Sequence, residues 1–374
     1  MAVVTVRQAD PGAAYRAHKH AIDAAVMRVL DSGRFLLDAE VTAFETEFAA
    51  WLGRSHAVGC ASGTDALALL LRGLSVGAGC AVATVSHTSV ATVAAIETTG
   101  AVPLLVDVEP DYYTMDPEDL AAVLDRPPPS LPPIRAVIAV HLYGQPADMS
   151  AIGELCARHG VALIEDCSQA HGASYGGRPV GTLATGAAFS FYPTKNLAAC
   201  GDAGAVVVPD AALAGRIVAL RQYGWRQRQS STEAGINSRL DEIQAAILRV
   251  KLPAADAANR RRRSIADFYD CALAETGIAA PLRRRGAEHV FHQYVVRTAQ
   301  REKLEVHLAA RGIETAIHYR LPVHRQPAYA GRVLLGPSAC RATDALAGEI
   351  LSLPMFPELT DHEVAHVCDA LRSL

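Results

Sequence analysis

The chain has 374 residues, of which 50% are hydrophobic and 20% are charged, as expected for a globular protein with a large core. Its net charge of -4 gives no electrostatic reason to expect nucleic acid or an anionic membrane as a partner. The N-terminal segment lacks the basic-then-apolar layout of a signal peptide, and no stretch is apolar enough for a membrane helix. The eight cysteines form no CxxC pair. We therefore expect a cytoplasmic protein with reduced thiols.

From about residue 55 to 210, short apolar segments alternate with helical patterns. Strands this apolar are buried on both faces, and the alternation predicts a mostly parallel sheet wrapped by helices. One of these helices is predicted over 150–159 and ends at Gly160. Ligands bind such sheets where loops leave the carboxyl ends of the strands. The strands are predicted over residues 81–85, 102–108, 134–141, 161–165, 187–192 and 204–208.

A long helix is predicted to begin near Arg239, because apolar residues recur at helical spacing from Leu240 to Val250. Four arginines follow at 260–263. Within a helix they would point around most of its circumference, and the rest of the chain is slightly acidic. We therefore interpret them as a solvated helix face and not as a nucleic-acid site.

The predicted sheet and the helix after it define a large domain over residues 1–250. Helical and strand patterns mix in the remainder, where a strand is predicted over 292–298, so residues 251–374 are predicted to form a smaller domain. The proline-rich segment 127–133 is interpreted as a surface connection, because the strand pattern resumes after it.

A polar turn precedes an apolar helix in the segment GCASGTDALALLL (59–71). Serine and threonine at a helix start cap its free N–H groups, and such N–H groups also bind anions. The turn formed by Gly63 and Thr64 is therefore either a plain N-terminal cap or a site for a phosphate.

Two carboxylates end a predicted central strand in LIEDCSQAHGA (163–173). A buried carboxylate is unfavourable unless it meets a cation or several donors. Asp166 could cap the next turn, bind a metal, act as a general base or pair with a ring nitrogen. A metal is disfavoured, because Asp166 and His171 have no third ligand at a recognisable spacing.

One lysine stands between two apolar strands in SFYPTKNLAACGDAGAVVV (190–208). Lys195 either reaches the surface or lies in an apolar site that lowers its pKa and makes the amine nucleophilic. The second interpretation is favoured, because a strand-end aspartate and a Gly-Thr anion turn precede it. A Schiff-base lysine, a phosphate turn and an aspartate facing a pyridinium nitrogen are together what pyridoxal phosphate (PLP) requires.

Further segments extend this pattern over essentially the whole chain. They are SGRFLLDAEVTAFETEFA (32–49), SGTDAL, HLYGQPADM, EDCSQAHGA, SFYPTKNL, GINSRLDEIQAAIL (235–248), GIETAIHYRLPVHRQPAY and ILSLPMFPELT. In these segments the chain resembles the fold-type-I PLP enzymes, and more narrowly the DegT/DnrJ/EryC1/StrS family of sugar aminotransferases. The resemblance implies an α/β fold like that of aspartate aminotransferase: a mostly parallel central sheet wrapped by helices, plus a smaller C-terminal α/β domain.

The resemblance also implies roles for residues around the cofactor ring. Lys195 is expected to form the internal aldimine with PLP and, once freed, to move a proton between the substrate carbon and C4′ of the cofactor. Asp166 is expected to keep the pyridine nitrogen protonated. Gln169 is expected against the ring or its O3′ side.

Residues that hold the phosphate and the substrate follow from the same resemblance. Gly63, Thr64 and Ser190 are expected at the phosphate, which Asn237 reaches from the partner subunit of a homodimer. The keto sugar nucleotide is expected to contact the HYRLPVH segment. The substrate residues implied are His318, Tyr319, His324 and, for L-glutamate, Arg239, for which a structural role is the alternative.

Two segments depart from the family's pattern. The family usually stacks an aromatic residue on the pyridine face, in a stretch resembling NTYIAT or HTFIAT, whereas this chain has SHTSVAT with Ser89 in that position. Either His87 supplies the ring face or the cofactor is covered differently. The second departure is LLDAE (36–40), where a Gly-Pro pair is common near the substrate.

The predicted activity is PLP-dependent transfer of an amino group from L-glutamate to a keto sugar nucleotide, through the pyridoxamine form (PMP). The segments around Lys195 and over 237–253 favour C3 of a dTDP-3-keto-6-deoxyhexose, as in amino-sugar and antibiotic biosynthesis. A C4 or keto-inositol aminotransferase remains an alternative. A non-catalytic regulator is a second alternative, and a related C3 dehydratase is disfavoured because that class replaces the lysine with histidine.

Overall fold

The computed structural model describes residues 5–129, 131–274 and 276–374; Ser130 of the predicted connection 127–133 lies outside them. The rest of that connection is irregular and largely exposed. The strands are β1 (His56–Cys60), β2 (Ala81–Val85), β3 (Val102–Val106), β4 (Ile134–Val140), β5 (Ala162–Asp166), β6 (Ser174–Tyr175), β7 (Arg178–Pro179), β8 (Gly186–Ser190), β9 (Gly204–Val208), β10 (Trp225–Gln227), β11 (Ser230–Ser231), β12 (Ala287–Glu288), β13 (Tyr294–Arg297), β14 (Leu334–Leu335) and β15 (Ile350–Leu353).

Eight of these strands form one central sheet in the order β1–β9–β8–β5–β4–β2–β3–β14. All neighbouring pairs are parallel except the two made by β9, so the prediction of a mostly parallel sheet is confirmed. Each of the six predicted strands is present, with ends that differ by at most two residues. The sequence pattern did not separate β1 from the turn after it, and it did not indicate that β14 joins this sheet.

Helices cover the sheet and form most of the C-terminal part. Helix α4 illustrates the covering layer: it is buried nearly all round and packs against β8, β9, α5 and α8. The helices are α1 (Pro11–Ala17), α2 (Lys19–Ser32), α3 (Ala39–Leu52), α4 (Gly63–Gly73), α5 (Val90–Thr98), α6 (Pro117–Asp125), α7 (Met149–His159), α8 (Ala211–Leu220), α9 (Glu242–Lys251), α10 (Ala255–Leu273), α11 (Arg301–Ala309), α12 (Arg341–Glu349) and α13 (Asp361–Arg372).

Local sequence explains where several helices begin and end. Helix α7 ends at Gly160, whose φ of 64° suits glycine at a helix terminus. The helix predicted from near Arg239 is α9, which begins at Glu242, and a 3-10 turn over Leu252–Ala254 that contains Pro253 separates it from α10. Proline has no N–H to continue the α-helical hydrogen bonds, which accounts for the interruption.

The C-terminal part packs around a second core that also includes Val6 and Ala13 from near the N-terminus. In this core β13 pairs with β15 in antiparallel register, and α10 packs on α13. The arginine run of α10 differs from the prediction of a solvated face. Arg262 is buried and donates to the carbonyls of Phe291 and Met355 at 3.1 and 2.9 Å. Because helical residues in a run point in different directions, one of the four had to face this core.

Among the contacts that join the C-terminal part to the central sheet, two involve β3 and the residue that follows it. Strand β14 extends the sheet by pairing in parallel with β3. The buried carboxylate of Asp107 accepts N–H groups of Ala342 and Thr343 at 2.8 and 2.9 Å, at the first turn of α12. A carboxylate at a helix N-terminus is favourable, so this contact orients α12 against the central sheet.

The eight cysteines are all free, and Cys200 and Cys271 are exposed. Five of the others are buried, and burial raises the pKa of the Cys156 thiol to about 12. Among the described residues, no helix is both long and apolar enough to cross a membrane.

Candidate active site

A cavity of about 340 Å³ opens at the carboxyl ends of the central strands. Asp166 ends β5, Ser190 ends β8, and the segment after β2 supplies Thr88 and Ser89. Parallel strands bring their carboxyl ends to one edge, which is where sheets of this type bind ligands. The predicted residues that line the cavity are Gly63, Thr64, Asp166, Gln169, Ser190, Lys195, His318 and Tyr319.

One end of the cavity is built for an anion. Helix α4 begins at Gly63, and the Ser62 hydroxyl caps it by accepting the N–H of Asp65 at 3.1 Å. The earlier N–H groups of this turn have no acceptor within the helix and are available to a ligand. A Cβ at position 63 would lie 2.5 Å from Cβ of Ser190, so only glycine permits this approach between the helix and β8.

Asp166 is 5% exposed and is held in place by two donors. Its Oδ2 accepts the Thr92 hydroxyl at 2.9 Å, and its Oδ1 accepts the Ser168 N–H at 3.1 Å. The bond to the Ser168 N–H is the cap of the next turn that the sequence left open as one role for Asp166. The carboxylate also lines the cavity, where it can meet a bound group.

Lys195 lies just after β8 and is half-buried at the cavity wall. Desolvation lowers the pKa of its amine to about 8, and the opposing effect of the Asp166 carboxylate is smaller. The neighbouring Asn196 fixes this segment by donating to Asn259 at 2.9 Å and to the carbonyl of Val290 at 3.1 Å. An amine with this pKa is partly neutral near pH 7.5, as a nucleophile must be.

Gln169 and Tyr319 form a second wall. The Gln169 Nε2 donates to the Tyr319 hydroxyl at 3.1 Å, and its Oε1 accepts the N–H of Tyr143 at 2.7 Å. Ser89 and Tyr319 both line the cavity, so an aromatic side chain from a distant part of the sequence lies in the same cavity as Ser89.

His318 lines the cavity as a neutral side chain. Its Nδ1 lies 2.8 Å from the Ser352 hydroxyl, and its carbonyl accepts the Tyr143 hydroxyl. Burial lowers its pKa to about 4, and the nearby Lys195 charge acts in the same direction. His318 can therefore accept or donate a hydrogen bond at neutral pH without adding charge.

Two predicted residues do not reach the cavity. His87 lies behind the wall, with its Nε2 2.9 Å from the Tyr143 hydroxyl, and burial lowers its pKa to about 4. It does not supply the ring face, because Ser89 and not His87 points along the cavity side of this turn. His324 is also buried elsewhere, with Nδ1 2.7 Å from the Ser86 hydroxyl and Nε2 3.1 Å from Asp344.

Asn237 and Arg239 also lie outside this chain's own cavity. Asn237 is exposed and Arg239 half-buried, on either side of the buried Ser238. The placement of Asn237 is compatible with the predicted reach into a partner subunit.

A buried cluster of His141, Glu165 and Cys167 was not recognised from the sequence as a unit. The Glu165 carboxylate accepts the N–H groups of Gly181, Leu183 and Ala184 at 2.8 to 3.1 Å, and His141 lies 3.1 Å from it. These donors satisfy the hydrogen-bonding needs of the Glu165 carboxylate. We therefore assign the cluster a structural role, in which it holds the loop before β8.

The site includes residues that the motif analysis missed. Thr92, Ser168 and His292 line the cavity, and Thr92 orients Asp166 directly. Thr92 lies one helical turn after Ser89 on α5, and its spacing from Asp166 gave no local signal. His292 was predicted only as part of a strand, but it is 3.2 Å from Asn196, beside Lys195.

Comparisons with known proteins agree with this geometry. The model of the DegT/DnrJ/EryC1/StrS aminotransferase family matches residues 16–372. A Streptomyces venezuelae protein named dTDP-3-amino-3,4,6-trideoxy-alpha-D-glucose transaminase is 47% identical over 364 residues, 97% of this chain and 94% of that protein.

Two solved structures are similar over nearly the whole chain. The crystal structure of S. venezuelae DesV in complex with a ketimine intermediate has a TM-score of 0.94 and 46% identity, covering 99% of this chain and 98% of that one. Bacillus subtilis NtdA with bound PMP has a TM-score of 0.85 and 26% identity, covering 95% of this chain and 81% of that one.

Proposed function

Because the chain belongs to the DegT/DnrJ/EryC1/StrS aminotransferase family, we propose that it transfers an amino group from L-glutamate to C3 of a keto sugar nucleotide. The chain is a PLP-dependent aminotransferase, and the proposal concerns its substrate, its site residues and its assembly. The observation that carries it is the convergence of Lys195, Asp166 and the Gly63 turn on one cavity.

The residues present fit PLP. Only glycine allows position 63 to approach Ser190 this closely. The N–H groups of the α4 turn are then free for the phosphate, and Ser190 lines the same cavity. Asp166 lies on the same cavity wall as the amine of Lys195. PLP supplies an aldehyde carbon that takes up the amino group and a ring that withdraws electrons from the substrate carbon.

The chain's own residues would then work as follows. Lys195 would hold PLP covalently between turnovers and, once released, its amine would move the proton at the substrate carbon. Asp166, oriented by the Thr92 hydroxyl and the Ser168 N–H, would pair with the ring nitrogen of PLP. Gln169 and Tyr319, joined by a hydrogen bond, would hold the opposite side of the cavity in place, and His318 would offer a neutral polar group to the substrate.

Glutamate leaves as 2-oxoglutarate after donating its amine, and the ketone of the second substrate receives it. C3 of a dTDP-3-keto-6-deoxyhexose is proposed because the most similar relatives include a transaminase named for a dTDP-3-amino sugar. A C4-keto sugar nucleotide or a free keto-inositol is the alternative within the family. We place the reaction in amino-sugar biosynthesis, in the cytoplasm.

The protein is proposed to be a homodimer with shared sites. Asn237 is exposed and outside its own cavity, as expected of a residue that reaches a partner's phosphate. Phe35 and Leu36 are 48% and 46% exposed. They lie beside residues 241–242, because the N–H of Glu242 donates to the carbonyl of Phe35 and Leu36 forms a β-bridge with Asp241. Apolar side chains exposed together are typical of an interface.

The activity is tested with purified protein, L-glutamate and a panel of 3-keto and 4-keto nucleotide sugars together with a keto-inositol. We expect 2-oxoglutarate release that depends on a 3-keto nucleotide sugar, and visible absorbance from bound PLP that L-glutamate bleaches. Lys195→Ala should lose both, whereas Lys303→Ala, an exposed lysine on α11, should keep both. Reaction with keto-inositol alone would refute the nucleotide-sugar proposal, and full transamination by Lys195→Ala would refute the assigned site.

A further inference from the structure

Ser238 is the buried member of an otherwise accessible segment. It is 1% exposed, whereas Asn237 before it is exposed and Arg239 after it is half-buried. Its hydroxyl donates to Oδ2 of Asp65 at 2.6 Å and accepts the N–H of Ala61 at 3.1 Å. Asp65 and Ala61 flank the turn that starts α4. One hydroxyl therefore connects the anion end of the cavity to the segment 237–239.

On the cavity side, this connection acts through the turn itself. Asp65 does not line the cavity, and its carboxylate is directed to Ser238 instead. Its N–H is bonded to the Ser62 hydroxyl, which caps α4. A hydrogen bond to a carboxylate is stronger than one between neutral groups. Loss of the Ser238 hydroxyl would therefore loosen Asp65 and, through it, the N–H groups of Gly63 and Thr64.

On the other side, the segment 237–239 is held by the residues before it. The N–H of Ser238 donates to the carbonyl of Arg221 at 3.0 Å, and Gln222 pairs with Asn237. The Arg221 side chain in turn donates to the carbonyl of Gly59 at 2.6 Å. The backbone around Asn237 is thus attached to the same strand and turn that form the phosphate end of the cavity.

We propose that Ser238 is a positioning residue that couples the two active sites of the dimer. It holds the phosphate turn of its own subunit and, by the same hydrogen bond, presents Asn237 to the phosphate in the partner subunit. This inference rests on the proposed homodimer with shared sites. Phosphate bound at one site therefore stabilises the segment that completes the other site, and the effect is reciprocal by linkage.

The first test is PLP binding by Ser238→Ala, followed by the absorbance of bound PLP. We expect a dimer on size-exclusion chromatography and a PLP dissociation constant about tenfold higher, or ~1.4 kcal/mol, with kcat at saturating PLP near the wild-type value. Asp65→Ala should weaken binding similarly, and the double variant should add little, because both changes remove one interaction. Ser231→Ala, an exposed serine of β11, is the control and should bind PLP normally. Additive effects of the two changes, or unchanged binding by Ser238→Ala, would overturn the proposal.

The second test asks whether Ser238 acts across the dimer. Mixed dimers are prepared in which one subunit is wild type and its partner carries Lys195→Ala, with or without Ser238→Ala. Only the wild-type site then holds PLP covalently and absorbs as such. We expect faster release of PLP from that site when the partner carries Ser238→Ala. Equal release rates would overturn this inference alone, whereas a monomeric wild-type chain would overturn both it and the shared site.

Discussion

The closeness of α4 to β8 predicts that Gly63→Ala disturbs the phosphate end of the cavity. The new Cβ would lie 2.5 Å from Cβ and 3.1 Å from Cα of Ser190. Carbon atoms in contact are ordinarily about 3.5 to 4.0 Å apart, so the helix and strand must separate by about 1 Å. Neither Ser190 atom can rotate away, because one is backbone and the other is attached to it.

The magnitude follows from two opposing effects. Replacing glycine with alanine within a helix stabilises a protein by at most about 1 kcal/mol, and by less at the first position of α4. Overpacking costs ~1 to 3 kcal/mol, so we expect the free energy of unfolding of the apoprotein to fall by about 1 to 2 kcal/mol. Displacement of the N–H groups by about 1 Å should also raise the PLP dissociation constant by about tenfold or more.

The assay is urea unfolding of the apoprotein together with PLP titration. Gly215→Ala is the matched control, because it lies within α8 with no atom within 4 Å of the new Cβ, and it should stabilise the protein by about 0.5 to 1 kcal/mol. Ser190→Gly, combined with Gly63→Ala, removes the nearest atom and should recover part of the lost stability but not the PLP affinity. A Gly63→Ala protein with wild-type stability and affinity would refute the steric reasoning.

Three further predictions concern charge. Burial lowers the pKa of His87 to about 4 and of His171 to about 3. Below pH 6.5 the unfolded chain therefore binds protons that the native chain does not, and the free energy of unfolding should fall as the pH decreases towards 4. A urea midpoint that stays constant over this range would contradict the prediction. Lys195, with a pKa near 8, should make the rate at which the apoprotein takes up PLP rise with pH and level off above about 8, because only the neutral amine reacts; a plateau reached only above pH 10 would contradict the desolvated site. Glu242 accepts the N–H groups of Asp38 and Val41 at 2.6 and 3.1 Å, so Glu242→Ala should lower the free energy of unfolding in urea by about 3 kcal/mol. Glu305→Ala on the surface should lower it by less than about 0.5 kcal/mol, and equal losses would argue against a buried anchor.

The sheet and the two central residues could be predicted because their signals are local. Uninterrupted apolar segments mark strands buried on both faces, and Asp166 stands at the end of one of them. Lys195 is conspicuous for a similar reason, because a charged lysine has no structural cause to interrupt an apolar region. Pairing direction, by contrast, depends on where the chain returns, and the antiparallel placement of β9 between β1 and β8 has no signature in its five residues.

The wall of the cavity was harder to predict, because its contacts join residues far apart in the sequence. Tyr319 reaches Gln169 across 150 positions, and Ser86 bonds His324 across 238. The spacing of histidines within HYRLPVH does not reveal that His318 faces the cavity and His324 does not. His87 and Ser89 show the same limit at short range, since the turn before α5 and not a strand decides which of them is inward.

The pairing of β14 with β3 has a consequence for how the chain can be divided. Without residues 334–335, β3 would be the outermost strand of the sheet, and its unpaired N–H and C=O groups would form an open edge. The apolar β3, 102–106, would then be an attractive template for the strands of other molecules. The C-terminal part thus shields the central sheet from self-association, and a separately expressed 1–250 segment should aggregate even though it carries Lys195, Asp166 and the phosphate turn.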